Sequence, residues 1–206
     1  MKIKVCGLKY KDNLDEVAAL EPDYLGFIYF KKSKRYMAEK LTEIDLRTIS
    51  PVKTAVFVDP THSEVENAIE MFGYDALQFH GNESPEFCSI FRSAAIKVIK
   101  AFSVDDEFDL NSTKAYKASC DYFLFDTKGN NAGGNGVTFN WNVLKKYDQE
   151  LPFFLSGGIG PENIGHVMEL KSFNIYGIDI NSRVESSPGI KDINKISKVM
   201  EIIREQ

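Results

Sequence analysis

The sequence predicts one α/β domain, a single (β/α)8 TIM barrel spanning residues 1–206, and three observations point there. Short β-branched and aromatic runs recur eight times, ending near Cys6, Phe30, Val58, His80, Phe102, Asp126, Ser156 and Ile180. Their spacing, roughly 20 to 30 residues, is that of one strand-loop-helix-loop unit. The run centres, such as Gly26-Phe-Ile-Tyr-Phe30 and Ala55-Val-Phe-Val58, are almost continuously apolar, as parallel strands covered on both faces are. No linker or low-complexity tract divides the chain. An open doubly wound sheet is the competing architecture. It rarely uses eight such even units, and its glycine fingerprint is missing after the first strand, where Gly7-Leu-Lys-Tyr-Lys-Asp12 holds one glycine.

The intervening segments read as helices. His62 to Phe72 places Val65, Ala68, Ile69 and Phe72 on one face at helical spacing. Pro161-Glu-Asn163 is expected to open a helix, because a first-turn proline loses no hydrogen bond. Asp192 is expected to cap the last helix, whose Ile193, Ile196, Val199, Met200 and Ile203 form a stripe.

Composition narrows the function. At 206 residues, 43% hydrophobic and 27% charged, the chain has the make-up of an ordinary globular domain. A net charge of −5 gives no basic footprint for nucleic acid. No apolar stretch approaches the roughly 20 residues of a membrane helix, and the N-terminus enters a strand pattern without a leader. A cytoplasmic home is expected. Cys6, Cys88 and Cys120 suit neither a disulfide framework nor a Cys-x-x-Cys metal site. His62, His80 and His166 lack ligand spacing, so no metal is expected.

Barrels of this kind carry their chemistry at the C-terminal strand ends. Cys6 ends the first strand with Gly7 after it and Lys4 and Lys9 nearby, cations that could tune a thiol. A small buried core cysteine is the plainer alternative. Asp126 ends the sixth strand and is followed by Thr127 to Val137, a loop with four glycines, Gly134 among them, able to fold over a ligand. A loop anchor or helix cap is the plainer reading of that carboxylate. Leu155-Ser-Gly-Gly-Ile-Gly-Pro-Glu-Asn163 brings the Gly157 and Gly158 backbone to a helix start, an anion signal. Asp179, Asn181, Ser182 and Arg183 follow the last strand, where such barrels often bind phosphate. Arg35 offers a fork for a carboxylate, although a surface charge run explains Ser33-Lys-Arg-Tyr36 as well. His80 reads more as a structural hydrogen-bonder than as a base.

Taken in order, Lys4-Val-Cys-Gly-Leu8, Gly26-Phe-Ile-Tyr-Phe30 with Ser33-Lys-Arg-Tyr36, Val56-Phe-Val-Asp59, Leu77-Gln-Phe-His-Gly-Asn-Glu83, Phe125-Asp-Thr127 with Gly133-Gly-Asn-Gly136, Leu155 to Asn163, and Asp179-Ile-Asn-Ser-Arg-Val-Glu185 with Pro188-Gly-Ile-Lys-Asp192 form a set. The set resembles the phosphoribosylanthranilate isomerase family, over nearly the whole chain. The resemblance implies a cofactor-free (β/α)8 enzyme of tryptophan biosynthesis. Its reaction turns N-(5-phosphoribosyl)anthranilate into 1-(2-carboxyphenylamino)-1-deoxyribulose 5-phosphate. It implies Cys6 as general base and Asp126 as general acid. Arg35 would take the anthranilate carboxylate, and Gly157, Gly158 and the 181–183 turn the phosphate. His80, Gly134 and Asp179 would complete the substrate contacts.

The expected partner is thus one small phosphosugar-anthranilate substrate, with no nucleic acid, no membrane, and a monomer or weak homodimer. Two departures stand out. Ser182-Arg183 replaces the family's usual Ser-Gly, and Asn135 stands where the family has Thr; the first could exchange a phosphate-facing N–H for a side-chain contact.

Alternatives stay open on the residues alone. One is another phosphosugar isomerase; a triose-type enzyme would want a Glu at the sixth strand end and a His–Lys pair. A synthase using strand lysines would have only Lys97 and Lys100. A non-catalytic phosphate-binding barrel, or a redox-sensing thiol at Cys6, would need no turnover at all.

Overall fold

Eight parallel strands close on one another in chain order, each hydrogen-bonded to the next and the eighth to the first. They are β1 (Lys2–Cys6), β2 (Tyr24–Ile28), β3 (Val52–Phe57), β4 (Ala76–Phe79), β5 (Lys97–Val104), β6 (Tyr122–Thr127), β7 (Phe153–Leu155) and β8 (Ile175–Ile180). The computed structural model describes residues 1–37, 44–128, 140–170 and 172–205. A two-stranded ribbon of β9 (Glu185–Ser187) and β10 (Ile190–Lys191) follows the barrel.

The α-helices are α1 (Lys11–Ala18), α2 (His62–Phe72), α3 (Pro85–Phe91), α4 (Ile164–Met168) and α5 (Ile193–Arg204). α2 has the bounds its periodicity predicts, fixed by a Thr61–Glu64 capping box and a left-handed Gly73 at its end. Asp192 caps α5 by accepting the Lys195 N–H, and Ile196, Val199, Met200 and Ile203 are its buried stripe.

Two expectations need correction. Short 3-10 turns at Leu46–Thr48, Leu110–Tyr116 and Trp141–Lys146 stand in the described parts of three connections read as helical. Asp45, Asp109 and Asn140 each accept an N–H two residues on, the local bonding that competes with an α-helix. Nor does Pro161 open a helix: α4 starts at Ile164 and runs five residues. Asn163 holds the preceding loop instead, accepting the Gly160 N–H at 2.9 Å and donating to the Gly158 carbonyl at 2.9 Å.

The period of two along each strand splits the buried residues into two shells. Val5, Leu25, Phe27, Phe57, Leu77 and Phe79 face outward into the large core under the helices. Tyr24, Ile99, Ala101, Leu124 and Phe154 fill the barrel floor, with Val52, Tyr122 and Tyr176 packed against them. The Tyr24 and Tyr176 hydroxyls meet at 2.9 Å, so this aromatic layer satisfies its own polar atoms. Above the floor the interior becomes charged.

Candidate active site

Lys4 and Cys6 share the inward face of β1, and Asp179 pairs in register with Lys4 across β8. Lys4 Nζ donates to Asp179 Oδ1 at 2.8 Å, with both side chains out of solvent. Burial works against the Lys4 charge, but Asp179 and Cys6 outweigh it and raise its pKa. Burial also pushes the Cys6 thiol up, against the pull of Lys4 and, more weakly, Lys191. Gly26 is the register partner of Cys6. A Cβ there would sit 2.7 Å from Cys6 Sγ, so the glycine is what gives the thiol room.

Asp126 is inward on β6 and 7% exposed. Burial first, then the neighbouring Asp179, raise its carboxyl to about 6, while the Thr127 N–H and Ser156 pull the other way. A carboxylic acid in that range holds its proton close to neutrality. His80 Nε2 lies 3.5 Å from Asp126 Oδ2. Deep burial, helped by Lys100, holds the imidazole down to about 4, so His80 is neutral and no proton store.

One cavity at the C-terminal mouth brings most of the expected residues together. Cys6, His80, Asp126, Gly157, Gly158, Asp179, Asn181, Ser182 and Arg183 all line it, with Ile28, Phe30, Val56 and Val58 as an apolar wall. Gly157 and Gly158 both have positive φ, 92° and 64°. A glycine turn of this kind can aim backbone N–H groups at one point, which suits an anion. The cradle is therefore a loop rather than the start of a long helix. Arg183 reaches Glu162 at 3.3 Å and is half-exposed at the rim.

Arg35 is placed differently from its expected fork on an open carboxylate. Its Nε and Nη2 donate to the two oxygens of Glu185 at 2.8 and 2.6 Å. Glu185 in turn accepts from Lys191 Nζ at 2.7 Å and from the Gly189 N–H at 3.0 Å. A buried carboxylate in reach takes the strongest bidentate donor available, leaving Arg35 its Nη1 edge. Arg35 packs over Gly7, where a Cβ would meet its Cδ at 2.7 Å. Gly134 and Asn135 lie outside the described residues. Lys9 is not the second cation near Cys6, because it donates to the Lys34 carbonyl at 3.4 Å on the surface.

Lys97 and Lys100 are absent from the cavity wall. Lys100 is buried against Glu83 at 3.1 Å, so neither lysine named for the synthase alternative lines this cavity. Among the described residues no group of three His, Cys, Asp or Glu side chains is set to hold a metal ion.

Against known proteins, residues 3–202 match the family described as N-(5'phosphoribosyl)anthranilate (PRA) isomerase. The chain belongs to the PRA isomerase family. The N-(5'-phosphoribosyl)anthranilate isomerase of Parabacteroides distasonis is 41% identical over 206 residues, covering 98% of this chain and 93% of that protein. That of Phocaeicola vulgatus is 38% identical over 192 residues, 93% and 92% of the two chains. The solved PRA isomerase of Thermotoga maritima superposes with a TM-score of 0.85 at 27% identity over the full length of both. A PRA isomerase solved in complex with reduced 1-(o-carboxyphenylamino)-1-deoxyribulose 5-phosphate gives 0.84 at 26%, again over both chains.

Reading the sequence as a PRA isomerase left out three contributors that the fold exposes. Gln78 sits two residues before His80 on the inward face of β4; that spacing was the signal available. Glu185 and Lys191 lie far from Arg35 in the chain, and no local pattern pairs them.

Proposed function

We propose that Cys6 and Asp126 carry the aldose–ketose rearrangement of N-(5'-phosphoribosyl)anthranilate, one proton transfer each, in this chain's single mouth. The protein is an isomerase of tryptophan biosynthesis. What supports the assignment is one observation: a buried thiol beside Lys4 and a carboxyl raised to about 6 line the same cavity as a glycine anion cradle.

Asp126 gives its proton to the ribose oxygen as the C1–O bond breaks and the anilino nitrogen forms a C=N bond. The minor thiolate form of Cys6, favoured by the Lys4 counter-charge against the cost of burial, takes the C2 proton that the C=N has acidified. The resulting enolamine tautomerises to the ketose, so atoms and charge balance by proton transfer alone, with no cofactor. Each such transfer is worth about 10²–10⁴-fold. Gly157, Gly158 and the 181–183 turn take the phosphate. Arg35, steadied by Glu185, offers Nη1 to the anthranilate carboxylate.

The closed eight-stranded barrel supports a single catalytic domain over 1–206, which we read as a monomer or weak homodimer. A dimeric PRA isomerase of Thermotoga maritima is among the similar solved structures. Among the described residues no helix is long and apolar enough to cross a membrane, and a cytoplasmic location fits the pathway.

The test follows the anthranilate fluorescence of the substrate. The native chain should consume it, and Cys6→Ala and Asp126→Ala should bind it without turnover. Near-native kcat in either variant would remove that residue from its role.

A further inference from the structure

Two buried polar atoms in the mouth have no hydrogen-bond partner among the described residues: Gln78 Oε1 and His80 Nε2. Both side chains line the cavity. They stand two residues apart at the end of β4 and so share its inward face. Gln78 is 1% exposed. Its Nε2 approaches His80 Nδ1 at 3.4 Å, and His80 Nε2 faces Asp126 Oδ2 at 3.5 Å. These are long contacts of the kind that tighten when a substrate closes a site. A line therefore runs from an amide through an imidazole to the carboxyl that must lose a proton.

We propose that Gln78 is a positioning residue that fixes the tautomer of His80, so that the imidazole turns its Nε2–H toward Asp126. The proposal rests on Asp126 as the acid; the tautomer itself does not.

A neutral imidazole carries one N–H, and its other nitrogen is a lone pair. With the hydrogen on Nδ1, the Nε2 lone pair faces Asp126. Before reaction it would draw the carboxylic O–H onto itself and away from the sugar; after reaction it would face a carboxylate, lone pair against lone pair. With the hydrogen on Nε2 both problems reverse. Asp126 accepts from His80, keeps its own proton free for the cavity, and is stabilised as the carboxylate once that proton has gone. The Gln78 amide N–H against Nδ1 selects this second state, because Nδ1 must then accept. Burial keeps the ring neutral, as its low pKa of about 4 requires. Asp126 Oδ1 is already taken by the Thr127 N–H at 2.9 Å, which turns Oδ2 toward His80.

Imidazole ¹⁵N NMR reads the tautomer directly. The chain holds three histidines, and a His80→Asn spectrum identifies the His80 signals. The native protein near neutral pH should show Nε2 protonated and Nδ1 bare. Gln78→Leu should mix the tautomers and lower kcat about tenfold with KM within about twofold, the weight of one ordinary hydrogen bond. Gln78→Glu should reverse the tautomer, because its carboxylate accepts from Nδ1–H. A native spectrum with Nδ1 protonated would overturn the proposal without any variant. So would Gln78→Leu with tautomer and kcat unchanged. Retained turnover in Asp126→Ala would remove the catalytic half alone, since the spectrum reports the ring whatever Asp126 does.

Discussion

Asp126→Asn should stop turnover and at the same time make the barrel more stable at neutral pH. The magnitude comes from the carboxyl's own shift. Burial and Asp179 raise it from 3.8 to about 6, a difference of about 2.2 units, which at 1.36 kcal/mol per unit is about 3 kcal/mol. At 7% exposure little solvent screens it. Because the folded value lies above the unfolded one, the folded state favours the protonated acid. Nothing is lost well below 3.8. Stability then falls as pH rises through the window to about 6, and the full cost is present above it. The asparagine variant avoids that cost. Its advantage should be about 1 kcal/mol near pH 4.5 and about 3 kcal/mol near pH 7.5, less whatever the amide gives up at the Thr127 N–H. Urea unfolding of both proteins at the two pH values measures the difference. An advantage that is absent, or equal at both pH values, would refute the claim that burial raises this acid.

Further outcomes follow from the same geometry. Cys6→Ser should keep its far-UV circular dichroism and lose about 10²–10⁴-fold in kcat; a near-native rate would end the thiolate's role. Lys4→Met leaves Asp179 buried without its partner and should cost about 3–5 kcal/mol in urea unfolding. It should also slow alkylation of Cys6 by iodoacetamide, and unchanged stability would show that the pair is not isolated from solvent. Glu185→Gln should loosen Arg35 and raise KM about tenfold with kcat close to native. A loss confined to kcat would mean that Glu185 acts on the chemistry and not on the carboxylate contact.

The barrel was legible because burial on both faces writes itself into short apolar runs, and the ends of those runs fell on or within two residues of the observed strand ends at Cys6, Phe57 and Ile180. α2 was legible for the same reason, with Thr61 and Gly73 marking its limits. The 3-10 connections were not, since Asp45, Asp109 and Asn140 decide them by bonding two residues ahead and leave the apolar spacing untouched. The shared position of Cys6 and Asp126 in the mouth was readable because both end apolar runs at the rim. Lys4 was readable as a cation beside Cys6, but its pairing with Asp179 was not, because β1 and β8 meet only when the barrel closes. Arg35 was readable as a fork, but its Glu185 partner is supplied 150 residues later by the ribbon after β8.

Among the described residues, the tyrosine and phenylalanine floor around Tyr24, Tyr122, Phe154 and Tyr176 packs the far end of the interior and leaves the strand-end mouth as its doorway. A molecule that enters over the glycines must depart by the same route, so the ketose competes with incoming aldose for the vacated space.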